Sequence, residues 1–385
     1  MPDDNQTATA PEIRILVIDL SRRYGGASVR ALTVADHMQP GFVAIAGLEN
    51  SPVLKIAEER NIPTRIVGKH RLDPLIPFRL RKIILEERVQ IIDTQNIQSK
   101  FWGSLTALIT DVAFVVTLNS SYEDEQGRAL KGKFYAFLDR WTNFRTNRYI
   151  AVSDPIQKSL IKAGISSDLV DLVSNAVEGE DTFQSYDPKQ TRREIGIPDD
   201  GFVCVSVGRL VWAKGFDDFI AAFASITDRN PNLYALILGD GVLYPALTRQ
   251  IKEAGLENKF FLTGHCKPEK VNCVLKASDV FVLSSRSEGV PFAVLEAGAV
   301  GLPIISTRCG GIPEILTDNV DALLVPVGDI QAIASGIEQL VENPQLAQRL
   351  GSTVKETIRR NHGIPKLIEA TRNAYQKALE HKRML

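Results

Sequence analysis

Uninterrupted apolar runs alternate along this chain with longer stretches whose apolar positions recur at helical spacing. The runs read as buried strands and the longer stretches as helices packed on them. In the first half the strands fall at Ile13–Asp19, Phe42–Ile45, Thr64–Val67, Ile91–Asp93, Ala113–Leu118, Tyr149–Ser153 and Val170–Val177. Helices fall between them at Ser28–Met38, Val53–Arg60, Ile76–Glu87, Lys100–Ile109 and Asp154–Lys162. Repeated strand–helix units of this kind predict a parallel, doubly wound sheet. Residues 1–12 read as a polar tail, and residues 179–200, with Pro188 and Pro198, as a linker. The second half repeats the alternation. Strands are expected at Phe202–Val207, Leu233–Leu238, Phe260–His265 (with its turn), Val280–Leu283 and Leu302–Ile305. Helices are expected at Phe216–Ile226, up to Ala254, at Val271–Ala277 and Phe292–Ala299, within 328–350, and over Lys366–Arg383.

The 385 residues exceed one compact core and suit two domains. The 45 basic residues balance 46 acidic ones, a net charge of −1, so nothing draws the chain to nucleic acid or to anionic membrane as a whole. Any anion site must be local. Cys204, Cys266, Cys273 and Cys309 form no C-x-x-C pair and complete no zinc set with histidine, so they read as small buried hydrophobes in a reducing compartment. The polar, acidic start is not that of a signal peptide, and no uncharged run reaches the ~18 residues of a spanning helix. The expectation is a soluble cytoplasmic protein.

Candidate chemistry gathers in the loops after strands. Ser284–Glu296 leads from the strand at Val280–Leu283 through a polar loop to Pro291, which stands where the helix at Phe292 would begin. Glu288 lies in that loop and Glu296 on the helix. Between them the amides of Gly289, Val290 and Phe292 sit at the positive end of the helix dipole. Such an end suits a bound phosphate, with one acid placed to meet whatever the phosphate carries. Two solvated glutamates on an ordinary strand–turn–helix would leave the same pattern. A second such unit follows at Cys309-Gly-Gly-Ile-Pro-Glu314, and ligands of parallel sheets collect beyond the carboxyl ends of the strands. Arg209 and Lys214, beside Gly208 and Gly215, leave the end of the strand Phe202–Val207, where they can meet the charge that grows on a departing diphosphate. Gly25 and Gly26 follow the first strand without forming G-x-G-x-x-G; they could let a ligand approach the backbone, but such a pair alone is more often just a turn. Residues 69–82 carry His70, Arg71, Arg79, Arg81 and Lys82. Residues 131–148 set Lys131, Lys133, Arg140, Arg145 and Arg148 beside Phe134, Phe137, Leu138 and Trp141, which fits a membrane-surface helix or, as we favour, a helix packed on the sheet.

Several of these stretches resemble one known family. Glu288 and Glu296 separated by seven residues, Gly310-Gly-Ile-Pro-Glu314, Leu323-Leu-Val-Pro326 and the Gly208-Arg209…Lys214-Gly215 loop look like the donor half of the retaining glycosyltransferases of family 4. The resemblance runs from Ile13 to about Ala378, strongest over 202–328. It implies an α/β GT-B fold: two Rossmann-like, doubly wound parallel-sheet domains facing across a cleft. The first would span 1–180, with the helix 366–385 packing back on it, and the second, donor-binding domain would span 181–365.

The implied enzyme is a glycosyltransferase of hexosyltransferase type. It would move a sugar from a nucleotide-diphospho-sugar to a glycan or lipid-linked acceptor, in cell-surface polysaccharide or glycolipid synthesis. A lipid-linked acceptor would bring peripheral contact with the inner face of the cell membrane. Glu288, Arg209 and Lys214 would be catalytic. Donor contacts would come from Gly25, Gly26, Asn119, Gly208, His265, Gly289, Val290, Pro291, Phe292 and Glu296, with Glu296 on the ribose. His265 is as much an ordinary turn residue as a ligand contact. No cofactor and no metal is expected, because two cations and two helix ends already supply positive charge; the Glu123-Asp-Glu125 run reads as a solvated loop. Where the family commonly carries histidine, this chain has Asn119 and, over 93–96, Asp-Thr-Gln-Asn. Asn175-Ala-Val-Glu178 likewise stands for the usual Asn-Gly-Val-Asp. The alternatives are a nucleotide-sugar epimerase of the same architecture and a non-catalytic nucleotide-sugar binder.

Overall fold

A computed structural model describes residues 13–22, 24–38, 41–119, 143–179 and 187–384. The chain divides into two compact units. One comprises residues 1–152, 156–173 and 368–385, and the other 153–155 and 174–367. The main crossing therefore falls at 173/174, against the 180/181 of the sequence reading.

In the first unit, β1 (Ile15–Asp19), β2 (Phe42–Leu48), β3 (Thr64–Gly68), β4 (Ile91–Thr94), β5 (Ala113–Leu118), β6 (Arg148–Ala151) and β7 (Val170–Leu172) form one sheet. Its order is β3-β2-β1-β4-β5-β6-β7, and its strands pair in parallel throughout the described residues. The order turns around β1, so β1 and β4 are neighbours whose following loops leave the sheet side by side. All residues of β1, β2, β4 and β5 are buried, as continuous apolar runs require when helices cover both faces.

The polar exceptions in that interior are bonded to one another. Asp93 on β4 accepts from Thr117 Oγ1 at 2.8 Å, Gln95 Nε2 at 2.9 Å and Tyr375 Oη at 2.7 Å. Tyr375 belongs to the helix Ile364–Met384, and Lys377 and Lys382 of the same helix pair with Asp171 and Asp111. Burial nevertheless pushes the Asp93 carboxyl up to about 6, the three hydrogen bonds acting against it.

The second unit holds β8 (Phe202–Val207), β9 (Leu233–Leu238), β10 (Phe260–Leu262), β11 (Val280–Leu283), β12 (Ile304–Thr307) and β13 (Leu323–Val325), in the order β10-β9-β8-β11-β12-β13. These strands pair in parallel too. Phe216, Phe219, Phe223 and Phe260 anchor its core. The important consequence is adjacency: β8, β11 and β12 are side by side, which brings three expected loops to one sheet edge.

Two expectations need correction. The linker contains a helix, Pro188–Ile195, capped by Asp187, and Arg192 ties it down through Asp279 at 2.8 Å and the carbonyls of Asp199, Gly201 and Ala277. Polar composition marked the exposed face of that helix, and its one inward cation was hidden among the others. Of the basic stretch 131–148, residues 131–142 lie outside the described residues, as do residues 1–12 and Glu123-Asp-Glu125. The remainder is not helical at helix spacing: Asn143–Arg145 is a 3-10 turn, and Arg148 opens β6 and pairs with Asp171. In the 69–82 stretch, Arg71 binds the Leu20 carbonyl, Arg79 pairs with Asp73 and Arg81 reaches the Ile109 carbonyl, so these cations serve the fold.

Tyr375→Phe should therefore destabilise the protein by about 1–3 kcal/mol, the cost of leaving a buried acceptor short of a donor. The Asp93 carboxyl sits above its ordinary value, so its protonation favours the native state, and that stability is lost as pH rises from about 4 through about 6. The lost donor matters most to the ionised form. The melting-temperature deficit of Tyr375→Phe should be larger at pH 8 than at pH 5, measured by calorimetry at both.

Candidate active site

The second unit assembles its loops on backbone contacts that only glycine permits. Gly310 has φ 53°, and a Cβ there would lie 1.6 Å from the Glu288 carbonyl oxygen. Gly215 has φ 59°, and a Cβ there would lie 2.1 Å from the Ser284 carbonyl oxygen. The loop after β11 is thus pressed between the loops after β8 and β12. Hydrogen bonds finish the joint: Arg286 N donates to Ala213 O at 2.7 Å, Gly311 N to Gly289 O at 3.0 Å, Ser284 Oγ to Lys214 O at 3.2 Å and Thr307 Oγ1 to Ser285 O at 2.5 Å.

Within this joint Lys214 Nζ lies 2.5 Å from Glu288 Oε1, and Ser285 Oγ donates to the same oxygen at 2.5 Å. The two side chains are only 18% and 8% exposed, so the pair is largely desolvated and mutually dependent. Arg209, one loop residue past Gly208, is exposed and its side chain makes no hydrogen bond or ion pair among the described residues. One cation is therefore held against a carboxylate and the other is open to an incoming anion.

Next to the pair, the helix Phe292–Val300 starts from an extended Pro291 that makes no side-chain cap. The amides of Gly289 and Val290 donate to no carbonyl among the described residues, and Phe292 opens a helix whose first amides have no intrahelical partner. Glu296 lies one turn further on, half-buried, with no hydrogen bond among the described residues; desolvation alone pushes its carboxyl up to about 7. A carboxylate without a protein donor beside free amides can accept from hydroxyls while the amides and Arg209 hold an anion.

Two further groups were given no role from sequence. Arg286 spans Asp217 and Asp218 at 2.8–2.9 Å, donates to the Trp212 carbonyl at 2.9 Å, and lies 5.3 Å from the Trp212 ring centroid. It fixes the Lys214 turn from beneath. Asn175, buried, donates from Nδ2 to Val290 O at 2.9 Å. Neither partner is near in sequence, so only the folded loops reveal them. His265 is exposed after β10, where Gly264 O accepts from Gly239 N at 2.9 Å. No metal cluster is found among the described residues. Cys204 and Cys309 are buried, whereas Cys266 and Cys273 are half-buried.

Gly25, Gly26 and Asn119 belong to the first unit. Gly25 caps the helix Gly26–His37 in an extended conformation, with open space where a Cβ would be. Beside it Asp19 accepts from Ser28 Oγ at 2.6 Å and Asn96 Nδ2 at 2.8 Å, and Asn96 also caps the helix Ile97–Leu108. Asn119 donates to Gln95 O at 3.2 Å, so Asn119 and the segment 93–96, the two places where the family commonly carries histidine, are in contact here. The Asn119 Oδ1 is buried with no partner among the described residues.

The Glycosyltransferase Family 4 model matches residues 24–180 and the Glycosyl transferases group 1 model residues 187–357. A 2-deoxystreptamine N-acetyl-D-glucosaminyltransferase of Niallia circulans is 33% identical over 144 residues, 37% of this chain and 37% of that protein. An N-acetyl-alpha-D-glucosaminyl L-malate synthase of Bacillus anthracis is 27% identical over 249 residues, 59% of this chain and 64% of that protein. The match thus spans less than two thirds of either relative's length. The structure of Anabaena Alr3699/HepE in complex with UDP-glucose superposes with a TM-score of 0.84 at 20% identity, covering 94% of this chain and 99% of that one. Two parallel-sheet α/β units, two adjoining family models and this likeness together mean that the chain has the GT-B fold and belongs to the family 4, group 1 glycosyltransferases.

Proposed function

We propose that the protein is a retaining glycosyltransferase that moves a sugar from a nucleotide-diphospho-sugar to a glycan or lipid-linked acceptor. We place it in the cytoplasm, in cell-surface polysaccharide or glycolipid synthesis. The observation that carries this reading is the Lys214–Glu288 pair lying beside free helix-start amides and an unpaired Arg209. The HepE complex with UDP-glucose supports a nucleotide-sugar donor. For the membrane side of the proposal, no helix among the described residues is long and apolar enough to cross a bilayer. Exposed Leu72, Leu75 and Phe78 of the first unit offer a place for peripheral contact.

In this scheme the diphosphate lies on the amides of Gly289, Val290 and Phe292, with Arg209 and Lys214 neutralising the charge that grows as its bond to the sugar breaks. Lys214 turns from Glu288 toward that charge, and Glu288 is then free to accept from hydroxyls of the transferred sugar. Glu296 accepts from the ribose hydroxyls. The acceptor oxygen forms its bond on the face the diphosphate leaves, and a diphosphate oxygen takes the acceptor proton. The product keeps the donor's anomeric configuration without a protein nucleophile. Metal is not needed in this scheme, since the protein supplies the positive charge.

Incubation with labelled nucleotide-sugars tests the class of reaction. Slow donor hydrolysis with retained configuration, persisting in excess chelator, is expected. Isomerised donor would instead mean an epimerase, unchanged donor a binder, and a complete loss with EDTA restored by magnesium would remove the metal-free scheme.

Lys214→Ala should lower turnover by about two decades or more, because it strips charge from the transition state and strands Glu288. Turnover within about threefold of wild type would refute the assignment.

Glu296→Gln should act in opposite directions on stability and binding. The wild-type carboxyl sits near 7, above its ordinary value, so the native state gains from its protonation and loses that gain as pH rises through about 7. The Gln variant should melt higher than wild type at pH 8 and no higher at pH 5. The same change removes charge-assisted hydrogen bonds worth about 1.5–3 kcal/mol, so UDP should bind roughly tenfold weaker or more at pH 8, by calorimetric titration.

A further inference from the structure

The peptide between Val290 and Pro291 has one handle only. Pro291 carries no N–H, so nothing can hold this peptide from its nitrogen side, and its orientation rests on what grips the Val290 carbonyl. Asn175 Nδ2 grips it at 2.9 Å. The preceding peptide is held likewise, its Gly289 carbonyl accepting from Gly311 N at 3.0 Å. In a trans peptide the C=O and the N–H point opposite ways. Fixing the Gly289 carbonyl therefore aims the Val290 N–H away from Gly311, and fixing the Val290 carbonyl sets where the helix Phe292–Val300 begins.

Asn175 is itself clasped. Its carbonyl lies 3.1 Å from His362 Nδ1, and Ser174 Oγ lies 3.2 Å from the same nitrogen. A carbonyl can only accept, so Nδ1 carries the proton. Burial holds the His362 ring below its ordinary pKa, which keeps it neutral at physiological pH. Two residues on, Val177 N donates to His362 O at 3.0 Å and Val177 forms a parallel bridge with Gly363. The segment 174–177 is thus stitched to 362–363 within the second unit.

We propose that Asn175 is a positioning residue for the donor site, held by His362, and that its bond to the Val290 carbonyl keeps the free amides of Gly289, Val290 and Phe292 aimed at the donor diphosphate. This rests on the donor reading above for its ligand, but not for its geometry. An aspartate at 175 keeps the shape, loses the donor and sets a charge against the Val290 carbonyl. Asn175→Ser keeps a short donor that cannot span the distance.

The test pairs one measurement without ligand with one that uses UDP. Amide hydrogen exchange in the ligand-free protein should speed up by about tenfold over 289–295 in Asn175→Asp and Asn175→Ser, with β8 and β11 unchanged. UDP affinity and kcat should fall on the order of tenfold in both variants at temperatures well below melting, and His362→Asn should produce a smaller change in the same direction. A lowered melting temperature with wild-type exchange over 289–295 would overturn the proposal, as would exchange that speeds up with UDP affinity unchanged from a wild type that binds it. If Asn175→Asp fails to fold, Asn175→Ser and His362→Asn carry the same comparison. A wild type that binds no nucleoside diphosphate, while exchange over 289–295 speeds up in the variants, supports the positioning role and defeats the donor reading instead.

Discussion

A lysine and a glutamate in contact, largely out of water, are what the second unit is arranged to hold. Taking either charge out of solvent alone would cost several kcal/mol, so Lys214 and Glu288 must meet or the loops that carry them must open. Their contact needs the loops after β8 and β11 to approach at backbone distance, which Gly215 allows. It also needs the loop after β12 to back Glu288, which Gly310 allows. Arg286, fixed by Asp217 and Asp218, then braces the Lys214 turn. Parallel pairing of β8, β11 and β12 makes all of this possible, because it sends every following loop to the same edge.

Much of that frame was legible in the sequence. The strands of both sheets, β13 excepted, were visible as apolar runs, because strands largely buried on both faces leave few polar interruptions, and Pro291 marked a helix whose start at Phe292 the structure reproduces. Arg209 and Lys214 were legible as candidate chemistry since charge beside glycine at a strand end is uncommon, and Glu288 and Glu296 because they flank a helix start. What periodicity could not show was who meets whom. Lys214 and Glu288 are 74 residues apart and Asn175 and Val290 115 apart, and each pair depends on strand order. The helix Pro188–Ile195 escaped for the opposite reason: a short amphipathic helix whose buried face is mostly an arginine looks like linker.

The two glutamates show how environment divides identical groups. Glu288 has a cation and a hydroxyl on one oxygen, so its charge is balanced within the protein. Glu296 has neither, and burial lifts its carboxyl to about 7. A protein optimised for stability alone would fill that position with an apolar or amide side chain. Keeping an unpaired carboxyl there costs native-state free energy above neutral pH, the kind of cost that binding sites accept and cores do not.

The first unit bears on the same division between charge and orientation. The family commonly carries histidine at the place of Asn119 and within the segment 93–96, and here Asn119 bonds to Gln95 of that segment. One bond deeper lies the titratable Asp93, which accepts from the Gln95 side chain. An amide cannot relay a proton from Asp93 to a ligand, because its N–H is not acidic near neutral pH. The Asp93–Gln95–Asn119 chain can therefore orient a hydroxyl through the unpaired Asn119 Oδ1 but cannot deprotonate one. That is compatible with the proposed chemistry, in which the departing diphosphate takes the proton, and it would not be compatible with a mechanism that asks these three residues for a general base.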